Sequence, residues 1–198
     1  MLHNQVLNKN SIDSIFSCLA NNYHGTKPIN IYLVGGAAIM LHFDYRQSTI
    51  DFDALFQNNN EMEKAIKQVS DQLSLPIDWL NQDFVNTPSF SSKIIECSKL
   101  YKSFNDVVFV YSLEPMYLIA MKLKSSRPTG GDLDDIVKMI YELRFNNAPI
   151  TFEKVLEAYR HLYQDFSNTY DYFLKKTKEA FETPMEEVEI VLKKHKVC

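Results

Sequence analysis

The sequence predicts an α+β protein: a mixed sheet with flanking helices over residues 1–111, then a helical bundle over residues 112–198. Three observations carry this. Apolar runs of strand length stand at 29–34, 48–56 and 105–111, each bounded by glycine or polar residues. Segments with helical spacing of apolar residues lie between and before them. After Tyr111 only the helical spacing recurs, and strands followed by helices alone suggest a mixed core with a separate bundle.

In chain order, the stretch 10–24 places Ile12, Ile15, Phe16 and Leu19 on one helical stripe. "INIYLV" reads as a strand stopped by Gly35 and Gly36, "AAIMLHFDY" as a helix packed behind it, and "STIDFDALF" as the next strand. The stretch 58–75 is a polar turn leading into a helix with Met62, Ile66, Val69 and Leu73 on one face. "PIDWL" reads as a short strand, and 91–101 with 105–111 as two more around a turn at 103–105. Pro115 suits the first turn of a helix, and Met116, Ile119, Ala120 and Leu123 form its stripe. A second bundle helix carries Leu133, Ile136, Val137 and Ile140. Helices over 151–166 and 168–181 follow, and 183–196 ends the chain with a capping box of Thr183 and Glu186.

Composition bounds the function. Hydrophobic residues make up 45% and charged residues 23% of 198 residues, as expected of a soluble globular chain. A net charge of −4 argues against coating nucleic acid by bulk attraction. Lysines and Tyr159, Tyr163, Tyr170 and Tyr172 in the last helices could bind single-stranded nucleic acid, but they equally describe helix surfaces and core positions. Cys18, Cys97 and Cys198 are widely spaced and support neither a disulfide framework nor a zinc site. With no signal-like start and no membrane-length apolar run, a cytoplasmic protein with no membrane partner is expected.

The chemistry concentrates in "IYLVGGAAIMLHFDYRQSTIDFDALF". On a strand, Asp51 and Asp53 point to one face, with Ile50, Phe52 and Ala54 on the other. Paired carboxylates on a half-buried face repel, and a divalent cation such as Mg2+ resolves the conflict through carboxylate and phosphate oxygens. Gly35 and Gly36 permit close approach of a ligand, and a helix starting there offers free N–H groups to a phosphate. A tight turn and an exposed acidic edge explain either element taken alone.

Together these residues resemble the signature of the nucleotidyltransferase superfamily with the polymerase β-like fold. The stretch "YLIAMKLKSSRPTGGDLDDI" resembles a block of its AbiEii-type branch, found in abortive-infection and toxin–antitoxin systems, and "WLN" at 79–81 is similar to that neighbourhood. The resemblance spans roughly residues 30–140. It implies an enzyme that transfers NMP from an NTP to an acceptor (RNA, protein or small molecule), with Mg2+ or Mn2+ as cofactor and an antitoxin-like protein as a further partner. It implies that Gly35 and Gly36 contact phosphate and that Asp51 and Asp53 ligate metal. Arg46 and Thr49, just before the aspartates, become nucleotide-binding candidates, as do Lys122 and Arg127. Asp78 is the candidate third carboxylate, Glu96 its competitor, and Lys122 and Asp135 join the catalytic set. Each has a plainer role available: a surface ion pair for Arg46, a solvated helix face for Lys122 and Arg127, N-capping for Asp132, a favourable dipole position for Asp135. His42 and His161 have no partner at metal-ligand spacing. The alternative function is a catalytically degenerate nucleotide-binding or protein-interaction module that retains the fold.

Overall fold

The computed structural model describes residues 7–164 and 171–195, the side chains of the last two excepted. Tyr170 and Cys198 lie outside the described residues. The chain is α+β, with a five-stranded mixed sheet, a two-stranded ribbon and eight helices among the described residues. It divides into two compact units, residues 1–85 with 95–113 and residues 86–94 with 114–198.

In the first unit the elements are β1 (Leu7–Asn8), α1 (Ile12–Asn22), β2 (Ile29–Leu33), α2 (Gly35–His42), β3 (Ser48–Thr49), β4 (Phe52–Phe56), α3 (Asn60–Leu73), β5 (Leu80–Asn81), β6 (Ser98–Phe104) and β7 (Val108–Leu113). The sheet runs β5-β4-β2-β7-β6. β2 is parallel to β7 and antiparallel to β4, while β4 is parallel to β5. Alternation fixes its two faces. Ile31, Leu33, Phe52, Ala54, Val108 and Val110 are buried on one face. Phe16 of α1 lies 5.7 Å from Phe52, 5.9 Å from Phe104 and 6.2 Å from Trp79, ring centre to ring centre. Burying one such ring stabilises by about 1.5–3 kcal/mol. The opposite face carries Asp53, Leu55, Tyr32 and Tyr111, all half-buried, with the two tyrosines stacked at 4.8 Å.

Three local expectations change. The stretch 48–56 is two strands: β3 pairs with β1, the chain bends at 50–51, and β4 starts afresh at Phe52. Ile50 is therefore 73% exposed instead of facing the core. The last hairpin turns at Asn105 and Asp106, both with positive φ (50° and 54°), a conformation in which Asn and Asp are enriched among non-glycine residues. "PIDWL" contributes only Leu80 to β5. Before that strand, Trp79 is fully buried and donates its indole N–H to the Ile66 carbonyl at 3.1 Å.

The second unit holds α4 (Pro115–Ser125), α5 (Asp132–Phe145), α6 (Phe152–Tyr163), α7 (Asp171–Glu182) and α8 (Met185–His195). Pro115 occupies the first turn of α4, and Thr151 Oγ1 caps α6 by accepting from Lys154 N. The segment 86–94 ties to the end of α6: Ser91 Oγ donates to the Leu162 carbonyl, Lys93 Nζ to that of His161, and Tyr163 OH to that of Ser89. The first two of these bonds satisfy carbonyls that the C-terminus of α6 leaves open. The capping box expected at α8 is not the role of Thr183, whose hydroxyl donates to the Glu179 carbonyl and meets Tyr141. No helix among the described residues is long and apolar enough to cross a membrane.

Candidate active site

Helix α2 begins at Gly35 itself, directly off β2, and no side chain caps it. The first helical bond in that turn runs from Ala38 N to the Val34 carbonyl, so the preceding N–H groups have no intrahelical acceptor. β4 lies alongside: Val34 N donates to the Asp53 carbonyl at 3.0 Å. This pairing sets Gly35 against Asp53.

The approach is close at both glycines. A Cβ on Gly35 would stand 3.2 Å from Asp53 Oδ2, and Gly35 has φ +53°, where an L side chain is strained. A Cβ on Gly36 would stand 2.7 Å from Thr49 Oγ1 and 2.9 Å from Arg46 Nη2. Five residues singled out in the sequence thus meet around one helix start: Gly35 with Asp53, and Gly36 with Thr49 and Arg46. Gly35→Ala is expected to lose about 1–2 kcal/mol of stability from the backbone alone and to displace the Asp53 carboxylate. Urea melts, read beside nucleotide-binding titrations, check both effects.

Asp51 sits in the bend before β4 and not on the strand. Asn81 nevertheless brings it to the site. Asn81 is the register partner of Asp53 in the β4–β5 pair, and its Nδ2 donates to Asp51 Oδ2 at 3.1 Å.

The other carboxylate candidates lie elsewhere. Asp78 is exposed in the turn before β5, where its backbone carbonyl, not its carboxylate, accepts from Asn81 Nδ2 at 3.3 Å. Glu96 is exposed in the turn before β6. That edge strand is separated from β4 by β2 and β7, roughly 14 Å at the usual strand spacing. The structure places an amide, Asn81, opposite Asp53. The sequence signal was the polar residue ending the short "WLN" strand, but its register with β4 is not a local property.

Lys122, Arg127, Asp132 and Asp135 meet one another in the second unit. Lys122 Nζ lies 2.8 Å from Asp132 Oδ1 and 2.9 Å from Asp135 Oδ2. Arg127 donates to Asp132 from its backbone N, Nε and Nη2 at 3.1, 3.0 and 2.9 Å. Lys122 is buried, so it does not form a solvated face, and Asp132 is completely buried. Asp132 is the first residue of α5 and not its cap; the cap position is Gly131. Burial would raise the Asp132 pKa, but the Arg127 hydrogen bonds and the charge of Lys122 outweigh it and hold the carboxyl well below the usual carboxylate range.

The histidines stay outside these clusters. His42 Nε2 lies 2.9 Å from Ser112 Oγ and 3.0 Å from the Leu113 carbonyl, and the His161 ring packs edge-on against Tyr117.

Asp51 and Asp53 offer only oxygen donors. Among the described residues no group of three or more His, Cys, Asp or Glu side chains is arranged to hold a metal ion. Two carboxylates still suit Mg2+, which commonly takes one or two from protein and fills its other positions with phosphate oxygens and water. The space kept open in front of Asp53 Oδ2 by the missing Cβ of Gly35 fits such a ligand set.

Comparison with curated proteins and with solved structures returned no match. A family model does match, over residues 12–189, which spans both units. On that extent of the chain the protein belongs to the family described as "Nucleotidyltransferase of unknown function (DUF6036)".

Proposed function

We propose that the protein is a Mg2+-dependent nucleotidyltransferase that transfers NMP from an NTP to an acceptor hydroxyl. The observation that carries this reading is the closeness of Asp53 Oδ2 to Gly35, 3.2 Å from where a Cβ would stand, which sets a carboxylate beside a helix N-terminus. Asp51 and Asp53 would hold the cation. When bound, the cation supplies Lewis-acid stabilisation of charge on the phosphate oxygens. The open N–H groups at the start of α2 and the Arg46 guanidinium complement the negative triphosphate. Thr49 and Arg46 meet over Gly36, so the bound phosphates would be fixed from two sides.

The acceptor oxygen forms a bond to the α-phosphorus as the bond to the bridging oxygen breaks, and pyrophosphate leaves. Asn81 accepts no proton, so the acceptor's proton passes to an aspartate oxygen or to solvent. Lys122 and Arg127 are assigned a different task. With Asp132 and Asp135 they make a neutral group, two cations with two carboxylates, that clasps α4 to α5.

The finer reading is an AbiEii-type toxin acting on RNA or a protein hydroxyl and checked by an antitoxin-like partner. Its support is the likeness of residues 117–136 to that branch. A second reading, nucleotide binding without turnover, draws on the amide at position 81. Incubation with each α-labelled NTP, Mg2+ and a bacterial lysate separates the two. Label moved to RNA, protein or a small molecule, and abolished by chelator, supports transfer. Metal-dependent binding with no transfer supports the second reading.

A further inference from the structure

The side chain of Asn81 has both ends committed. Its Oδ1 accepts from Asp83 N at 2.9 Å, which fixes the orientation of the amide, since a backbone N–H can only donate. Nδ2 must then point the other way, to Asp51 Oδ2 at 3.1 Å and the Asp78 carbonyl at 3.3 Å. Asp51, in a bend with no strand pairing of its own, thus takes its aim from β5. Asn81 also faces Asp53 across the β4–β5 register. An acid at that position would make three carboxylates in one place; an amide leaves two.

We propose that Asn81 is a positioning residue that aims Asp51 and limits the site to two negative charges, so that the divalent cation binds together with the nucleotide and not ahead of it. The proposal rests on the reading that Asp51 and Asp53 hold a cation. Two carboxylates are a weak site for a hard, strongly hydrated ion, and phosphate oxygens supply the missing charge and ligands. The metal would enter as the metal–nucleotide complex. Asn81 then acts through Asp51, as residues behind metal ligands do, and such partners are usually worth about 10–100-fold in metal affinity.

The test is calorimetric titration of Mn2+ alone, and of Mn2+ with a non-hydrolysable NTP, into wild type, Asn81→Asp, Asn81→Ala and the Asp51→Ala/Asp53→Ala pair. Wild type should bind the metal–nucleotide complex and show no saturable binding of Mn2+ alone. Asn81→Asp should gain binding of Mn2+ alone, and Asn81→Ala should weaken binding of the complex by about tenfold. Thermal melts of each variant establish that it is folded at the titration temperature. If Asn81→Asp is not, wild type and Asn81→Ala decide. Wild type binding Mn2+ alone as tightly as the complex overturns the proposal, as do Asn81 variants that titrate like wild type. A wild type that binds the complex no better than the double aspartate variant overturns the cation site itself, and this proposal with it.

Discussion

Replacing Asp53 by Ala is expected to abolish metal-dependent nucleotide transfer, with Asp51→Ala nearly as severe. Losing a ligand that stabilises phosphate charge by several kcal/mol lowers the rate on the order of 10³-fold. The melting temperature in the absence of metal should fall little, because each change also relieves the repulsion between two carboxylates on half-buried residues. That pairing of results distinguishes a site residue from a structural one. Asp78→Ala and Glu96→Ala serve as controls. Asp78 is exposed and directs only its backbone toward the site, and Glu96 lies toward the opposite edge of the sheet. Both variants should transfer label at the wild-type rate in the same assay.

The largest stability effect is expected at Asp132. Its carboxylate is fully buried and accepts from Lys122 and from three nitrogens of Arg127. Asp132→Ala leaves the buried Lys122 ammonium with Asp135 alone and removes the acceptor of the Arg127 fork. Breaking a buried pair on one side costs about 3–5 kcal/mol, and urea denaturation at neutral pH measures it. The pH dependence has a definite sign. The folded-state pKa of Asp132 is depressed, so its contribution is fully present above the ordinary carboxylate pKa of about 3.9. It is lost as pH falls from there toward the folded value. Wild type should lose stability in that acid window. Asp132→Asn should be less stable at neutral pH and lack that component of the acid slope. Equal acid slopes in the two proteins would contradict the assignment.

Much of this was legible in the sequence for local reasons. The strand, the glycine pair, the helix and the second strand are consecutive, so the apposition of Gly35 and Asp53 follows once β2 and β4 pair. The helices followed from the spacing of residues such as Met62 and Val69, both buried on the inner face of α3. What escaped was set by contacts distant along the chain. Asp51 leaves the strand because β3 pairs with β1, more than forty residues earlier. Asn81 meets Asp53 only through the β4–β5 register, and strand order alone removes Glu96. Lys122 resembles a solvated lysine until the turn through Gly130 and Gly131 brings α5 back and places Asp132 2.8 Å from it.

In the proposed function Asp51 and Asp53 hold a divalent cation against a nucleotide's phosphates. Equilibrium dialysis of each radiolabelled NTP against the wild-type protein, with Mg2+ and then with excess chelator, tests it most directly. The expected result is saturable binding of at least one NTP with Mg2+, lost in chelator and lost in the Asp51→Ala/Asp53→Ala variant. Equal binding with and without metal, or equal binding by the double variant, would contradict it.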